Sequence, residues 1–317
     1  MDWIVCESPV ARELEALLAR VSAGAVPVLI QGESGSGKTS VAREIHRRSG
    51  RAGEPLVEVQ LGTLAPTLIE SELFGHVAGA YTGAQRAREG RFQRAGTGTI
   101  VLEGIDALAE ELQAKLLRVL QERRIEPVGA EQGLACEARV IATSTRDLRS
   151  EVAAGRFRGD LYFRLAVVVI DLAPLRMRRE DLPLLAQAIL ASSARRLGLP
   201  ARLLSSAALE RLLDWSWPGN VRELENALER VLVLGAGQSG EIQPAELDFV
   251  REARPEALAP LVRALLAQGV ALPELEEVLV REALRESRGN RSAAARALGL
   301  SRRALEQIVA RGERGSA

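Results

Sequence analysis

The densest chemistry in this chain lies in eight residues, Gly32-Glu33-Ser34-Gly35-Ser36-Gly37-Lys38-Thr39. They fit the pattern GxxxxGK[ST] in full. Glycines at those positions let successive backbone N–H groups turn inward around a polyphosphate. Lys38 supplies a fixed charge for the β and γ oxygens, and the Thr39 hydroxyl suits a magnesium ion. A helix that begins here adds the favourable end of its dipole. ATP with Mg²⁺ fits this set, and an ordinary Gly/Ser turn is the bland alternative. The chain has 40 arginines but only two lysines, Lys38 and Lys115. A lysine at this one position is more informative for that reason.

A phosphate loop needs a strand before it and a helix after it. Val28-Leu29-Ile30 is a short apolar run that reads as a buried strand, and a helix is predicted from about Thr39 to Arg48. Further strands are predicted at Leu56–Val59, Thr99–Leu102, Arg139–Ala142 and Val167–Ile170. Helical patterns such as Leu112–Glu122 lie between them. Strands alternating with helices imply a parallel sheet covered on both faces. After about residue 172 the strand signals stop. Leu182–Leu197, Ser206–Trp215 and Val221–Leu234 read as helices of a lid. Gly235–Gln243, with three glycines, reads as a linker. The rest is Ala-, Leu- and Arg-rich helix broken at Gly289-Asn290 and Gly299.

Composition bounds the remaining choices. The 317 residues suggest roughly two domains of about 100–200 residues each. Apolar residues make up 47%, enough for packed cores, and the formal net charge is zero. DNA binding would therefore need a local patch. Residues 281–317 supply one, with nine Arg against four Glu, a net of +5. Two cysteines, Cys6 and Cys136, make no disulfide framework in a chain this long. No apolar run approaches the ~18 residues of a membrane span. Met1-Asp2-Trp3 does not open a signal peptide, so no membrane role and a cytoplasmic location are the default expectations.

Beyond the loop, Glu70-Ser71-Glu72-Leu73-Phe74-Gly75-His76 and then Gly79-Ala80-Tyr81-Thr82-Gly83-Ala84 resemble the central domain of sigma-54-dependent activators, the bacterial enhancer-binding proteins. The resemblance runs from about Ile4 to Ala310. It implies an α/β AAA+ P-loop NTPase core, an all-α lid and a C-terminal helix-turn-helix. The expected divisions are residues 1–172, 173–240, a linker at 241–270, and 271–317. Gly79–Ala84 is similar to the family's GAFTGA loop, with Tyr81 in place of Phe, and the resemblance implies contact with sigma-54 RNA polymerase there. Its glycines and alanines suit a flexible tip exposing one aromatic and one hydroxyl. Outside the family they would be a plain turn.

Phe157–Leu165 resembles the family's arginine-finger segment. That puts Arg158 and Arg164 at a neighbouring subunit's γ-phosphate, in a ring expected to be a hexamer, where they would stabilise developing charge. An exposed basic helix would account for the same residues. Trp217–Leu224 is similar to the second sensor, with Arg222 reaching the nucleotide from the lid and Pro218-Gly219 starting that helix. The C-terminal end resembles a Fis-type helix-turn-helix. Gly289–Arg296 opens one helix, Gly299 makes the turn and Ser301 caps the next. Arg291, Ser301, Arg302 and Arg303 would meet double-stranded DNA. A small helical dimerisation domain is the alternative.

Several positions depart from the family. Its Asp-Glu pair after the third strand reads Glu103-Gly104 here. Glu103 retains reach to the metal shell, but Gly104 cannot act as a base. Gln60 replaces the Asn that restrains the family's catalytic Glu, and Thr145 replaces the Asn of the first sensor. Loss of a water-orienting base typically costs ~10²–10⁴ in rate, so weak or absent hydrolysis is expected. Asp106, two residues beyond Gly104, is a substitute only if it swings in against the direction set by the strand end, and hydrolysis by another arrangement stays open. Gly104 follows a strand and need not have positive φ, so restoring the Asp-Glu pair should be tolerated and raise turnover. Glu306 would repel phosphate if it faced DNA. About three residues precede the homology, so control by a separate protein, expression level or partner subunit is expected. The leading reading is a sigma-54 regulator that remodels the polymerase. The alternative is a hydrolysis-deficient AAA+ subunit or adaptor in a mixed ring with an active paralogue.

Overall fold

The computed structural model describes residues 8–63, 65–81, 84, 86–235 and 240–251. Towards the C-terminus it describes 267, 269, 272–287, 290, 291, 294, 295, 298, 300, 304–306, 308 and 309. The strands are β1 (Val28–Gln31), β2 (Leu56–Gln60), β3 (Gly75–His76), β4 (Arg88–Glu89), β5 (Thr99–Glu103), β6 (Arg124–Ile125), β7 (Leu134–Ala135), β8 (Arg139–Ser144) and β9 (Val168–Asp171). Around them lie α1 (Pro9–Ser22), α2 (Lys38–Arg47), α3 (Pro66–Phe74), α4 (Arg91–Ala95), α5 (Glu110–Glu122), α6 (Leu148–Ala153) and α7 (Gly159–Leu165). The helices α8 (Leu182–Leu197), α9 (Ser206–Leu213) and α10 (Asn220–Leu234) follow.

Five strands pair in the order β2-β5-β8-β1-β9, and every pairing is parallel. Alternate residues of each strand enter different cores, as a pleated strand requires. Val28, Ile30, Val101, Ile141 and Ile170 pack with Leu18, Val41 and Ile45 of α1 and α2. Leu29, Ile100, Leu102, Val140 and Ala142 pack on the other face with Phe74, Phe92, Leu116 and Leu161. Each fully buried aliphatic side chain contributes about 1.5–3 kcal/mol. The chain leaves β1 for the far edge at β2, works back to β8, then crosses to β9 on the other side of β1. The carboxyl ends of β1 and β8 therefore flank the point where strand order reverses, which is where ligands settle in open α/β sheets.

Arg139 opens β8 while buried. It donates to the carbonyls of Val21 (2.8 Å), Ser22 and Val26 (both 3.4 Å). Burial pushes the guanidinium down to about 10, and the carbonyl end of α1 is the favourable place for its charge.

The lid core joins Leu182, Ile189, Trp217, Leu224 and Leu228 to Ile242 and Leu247. The last two are fully buried, although sequence assigns them to a linker after residue 240. The lid continues past that point because the chain after the glycines returns to cover it, and Ser205 N donates to the Ile242 carbonyl. Contacts divide the chain into Met1–Val250 and Arg251–Ala317. In the second unit the helix Leu272–Glu286 packs Val280 and Ala283 on Ala294, Ala295, Leu305 and Ile308. Among the described residues no helix is long and apolar enough to cross a membrane.

Candidate functional site

The phosphate loop leaves the end of β1 and runs into α2, so Lys38 and Thr39 stand at a helix N-terminus. Lys38 Nζ donates to the loop carbonyls of Gly32 (2.7 Å) and Glu33 (2.8 Å). Burial pushes its ammonium below the usual lysine range, opposed first by the Asp106 carboxylate. Thr39 Oγ1 donates to Glu103 Oε2 at 2.9 Å. Two oxygen ligands for a hard cation thus lie side by side, and the longer Glu103 side chain bridges the distance. The Ser36 hydroxyl is buried without a partner. Lys38, Thr39, Glu103, Gly104, Thr143, Thr145, Arg222 and Glu225 line one cleft with the loop residues Ser34, Gly35 and Gly37. The set fits a polyphosphate with a divalent cation.

The lid is joined to the loop by polar contacts. Asn220, buried with φ 56°, accepts from Leu175 N (2.8 Å). It donates to Glu33 Oε2 (3.0 Å) and the Ser34 carbonyl (3.1 Å). Val221 N donates to the Gly35 carbonyl (3.0 Å) and Arg178 Nη2 to the Ser36 carbonyl (3.0 Å). Gly35 has φ +75°, and a β-carbon there would lie 2.1 Å from the Gly219 carbonyl oxygen. Arg222 Nη1 donates to Ser34 Oγ at 3.2 Å, which sets its guanidinium at the cleft. Glu33 does not line that cleft with its side chain. Its carboxylate takes Arg176 at 2.7 Å and sits at about 2, lowered first by Arg176 and then by Asn220. Asn220 and Glu225 were missed from sequence. The missed signal at Glu225 is its spacing of three from Arg222, which puts both on one helix face. Burial raises its carboxyl above the usual range.

The water-activating side is arranged unlike the expectation. Gly104 has φ 73° and ψ 47°, so the presumption that it need not have positive φ is corrected. Gly104 N still donates to the Thr143 carbonyl of the sheet (3.0 Å), and the left-handed turn, closed by Ala107 N donating to the Gly104 carbonyl (3.0 Å), swings the next residues back toward β8. Asp106 then meets the first sensor. Its Oδ1 accepts from Ser144 Oγ (3.0 Å) and Thr145 N (3.3 Å), and its Oδ2 from Thr145 Oγ1 (3.1 Å). Arg146 lies 3.8 Å away. Gln60 pairs in register with Glu103 on the adjacent strand, with its side chain exposed.

The other expected residues lie elsewhere. Arg158 pairs with Asp160 (2.9 Å), and Arg164 donates to the Leu120 carbonyl (3.3 Å). Neither lines the chain's own cleft. Between β3 and β4, Gly79 N donates to the Ala84 carbonyl (2.8 Å). Tyr81 is half-exposed and meets the His76 ring edge-on at 5.2 Å. Ala84, whose carbonyl accepts from Gly79 N, is buried. Thr82 and Gly83 lie outside the described residues, as do Ser301, Arg302, Arg303 and Cys6. Arg291 is exposed, Glu306 half-buried, and Cys136 a buried free thiol.

Parallel sheet, phosphate loop and helical lid together define a P-loop nucleotide-binding protein of the AAA+ class. Residues 4–171 match the family described as the Sigma-54 interaction domain. Residues 176–260 match the AAA+ ATPase lid domain, and 271–307 the Fis family of bacterial regulatory proteins. The chain belongs to the sigma-54-dependent transcriptional regulators, and its AAA+ domain binds nucleotide. It is 44% identical over 302 residues to the transcriptional regulatory protein ZraR of Klebsiella oxytoca, covering 95% of this chain and 67% of that one. It is 43% identical to the response regulator PilR of Pseudomonas aeruginosa, covering 94% and 67%. NtrX of Brucella abortus, solved in complex with ATP, superposes with TM-score 0.72 at 30% identity, covering 96% of this chain and 68% of that one. These relatives favour a regulator in its own right over an adaptor. Sigma-54 and DNA are its partners.

Proposed function

We propose that this chain binds ATP with Mg²⁺ and uses it, as a hexameric cytoplasmic ring on promoter DNA, to remodel sigma-54 RNA polymerase. The convergence of Lys38, the Thr39–Glu103 pair, Thr145 and Arg222 on one cleft carries the reading. The loop oxygens and Lys38 hold the polyphosphate, Thr39 and Glu103 hold the cation, and Arg222 reports from the lid. Arg158 and Arg164 serve a neighbouring subunit's nucleotide, since both are held away from their own cleft. Gly79–Ala84 present Tyr81 and Thr82 to sigma-54, and Arg291 with Ser301–Arg303 meets DNA. With Gly104 where the family has Glu, the protein alone turns over ATP slowly.

The test is direct titration of ATP against the wild type and Lys38→Ala, with and without Mg²⁺. The expected result is a loss of at least about 100-fold in affinity, about 2.7 kcal/mol. Equal affinity in the variant would remove the phosphate-loop assignment.

A further inference from the structure

We infer that Thr145 and Asp106 form a hydroxyl–carboxylate relay that activates the attacking water in place of the missing residue-104 carboxylate. The inference rests on the nucleotide reading above and goes beyond it. Three carboxylates stand in or behind the cleft. Glu103 is engaged by Thr39. Glu225 belongs to the lid helix, where it lines the cleft with Arg222. Asp106 does not line the cleft, and Thr145 stands there instead. Asp106 is hydrogen-bonded to Thr145, which does line the cleft, so the action proposed for Asp106 passes through Thr145.

The hydrogen bonds fix the direction of that action. A carboxylate only accepts, so the 3.1 Å contact between Thr145 Oγ1 and Asp106 Oδ2 places the hydroxyl proton on the side of Asp106. The lone pairs of Thr145 Oγ1 then face away and accept a proton from water. Asp106 is held for this task. The Thr145 N–H donates to its other oxygen (3.3 Å), and the Ser144 hydroxyl, whose one proton also has the Arg146 carbonyl as acceptor (2.7 Å), lies 3.0 Å from it, which leaves Oδ2 facing Thr145. The separation falls within the reach a proton transfer requires. Gly104 makes the arrangement possible, because its left-handed turn carries Asp106 back toward the sensor. A residue with a β-carbon adopts that turn only with strain.

In the step itself, the water oxygen bonds to the γ-phosphorus as the bond from that phosphorus to the β–γ bridging oxygen breaks. The electron pair of the broken bond leaves with ADP. One water proton passes to Thr145 Oγ1 while the Thr145 proton passes to Asp106. The proton then returns to the released phosphate or to solvent.

The experiment uses the full chain and two readouts: steady-state ATP turnover, and direct titration with ADP and with ADP–aluminium fluoride. The wild type is expected to turn over ATP slowly. Asp106→Asn and Thr145→Val should each lower turnover by about 10²-fold or more. Both should bind ADP as the wild type does but lose its preference for ADP–aluminium fluoride. Thr145→Ser, which keeps the hydroxyl, should retain both properties. A merely structural Asp106 would instead weaken ADP binding together with turnover. Turnover unmoved by Asp106→Asn, or ATP binding with no turnover at all in the wild type, would overturn the relay alone. Absence of ATP binding in the wild type would overturn the nucleotide reading and the relay with it.

Discussion

At Gly104 the backbone decides what the side chain is allowed to be. The left-handed angles φ 73° and ψ 47° cost an ordinary L-residue about 1–2 kcal/mol, and Asn less than most. A β-carbon there would meet nothing within 4 Å, so the obstacle is conformation and not space. Gly104→Ala is expected to lower unfolding stability by about 1 kcal/mol and Gly104→Asn by less, measured by urea denaturation. The double change Glu103→Asp with Gly104→Glu, which sequence alone recommends, meets the same penalty. Its expected signature is a lower urea midpoint, and an unchanged midpoint would mean the turn had relaxed to accept Glu.

The lid meets the phosphate loop through polar contacts, two of which come from the buried Asn220 side chain. Asn220→Ala strips partners from the Leu175 N–H and the Ser34 carbonyl and leaves a β-carbon residue at positive φ. The expected cost is about 2–3 kcal/mol, with Asn220→Gly recovering the backbone part of it; urea denaturation of both variants measures the split. Glu33 adds a pH dependence. Its folded value of about 2 lies below the ordinary 4.5. Its contribution is therefore fully present above about pH 4.5 and is lost as pH falls towards 2. Hydrogen exchange in Asn220–Leu234 should accelerate across that window. Glu33→Gln should flatten the response, whereas Glu44 and Glu151, also held at about 2, leave it in place. Strands such as β1 and β8 were legible because their apolar runs are long enough to show a period. The two-residue strands β3, β4, β6 and β7 are too short to show one. Lys38 and Thr39 were legible because the loop is contiguous. The bond from Thr145 to Asp106 spans 39 residues, and Asn220 reaches Ser34 across 186. Such distances acquire meaning only when the sheet brings their ends together. The φ of Gly104 carries no sequence signal at all, since glycine tolerates either sign.

For the molecule as a whole, two variants separate its partners. Deleting residues 281–317 removes most of the packed C-terminal unit, including Ala294, Ala295, Leu305 and Ile308. DNA binding is expected to be lost while ATP affinity stays unchanged. Wild-type DNA affinity should fall steeply with salt, as phosphate contacts require, and a gel-shift series in increasing salt checks both statements. Thr82→Ala should preserve nucleotide affinity but abolish co-elution with sigma-54 in the presence of ADP–aluminium fluoride.

The 2.1 Å that would separate a Gly35 β-carbon from the Gly219 oxygen has a mechanical consequence. Backbone oxygens are incompressible on this scale, and the loop has no slack on its lid side. A β-carbon at position 35 would therefore fit only by displacing the Gly219–Asn220 corner at the start of α10. Position 35 is thus where loop and lid mesh, and only glycine lets them close this far.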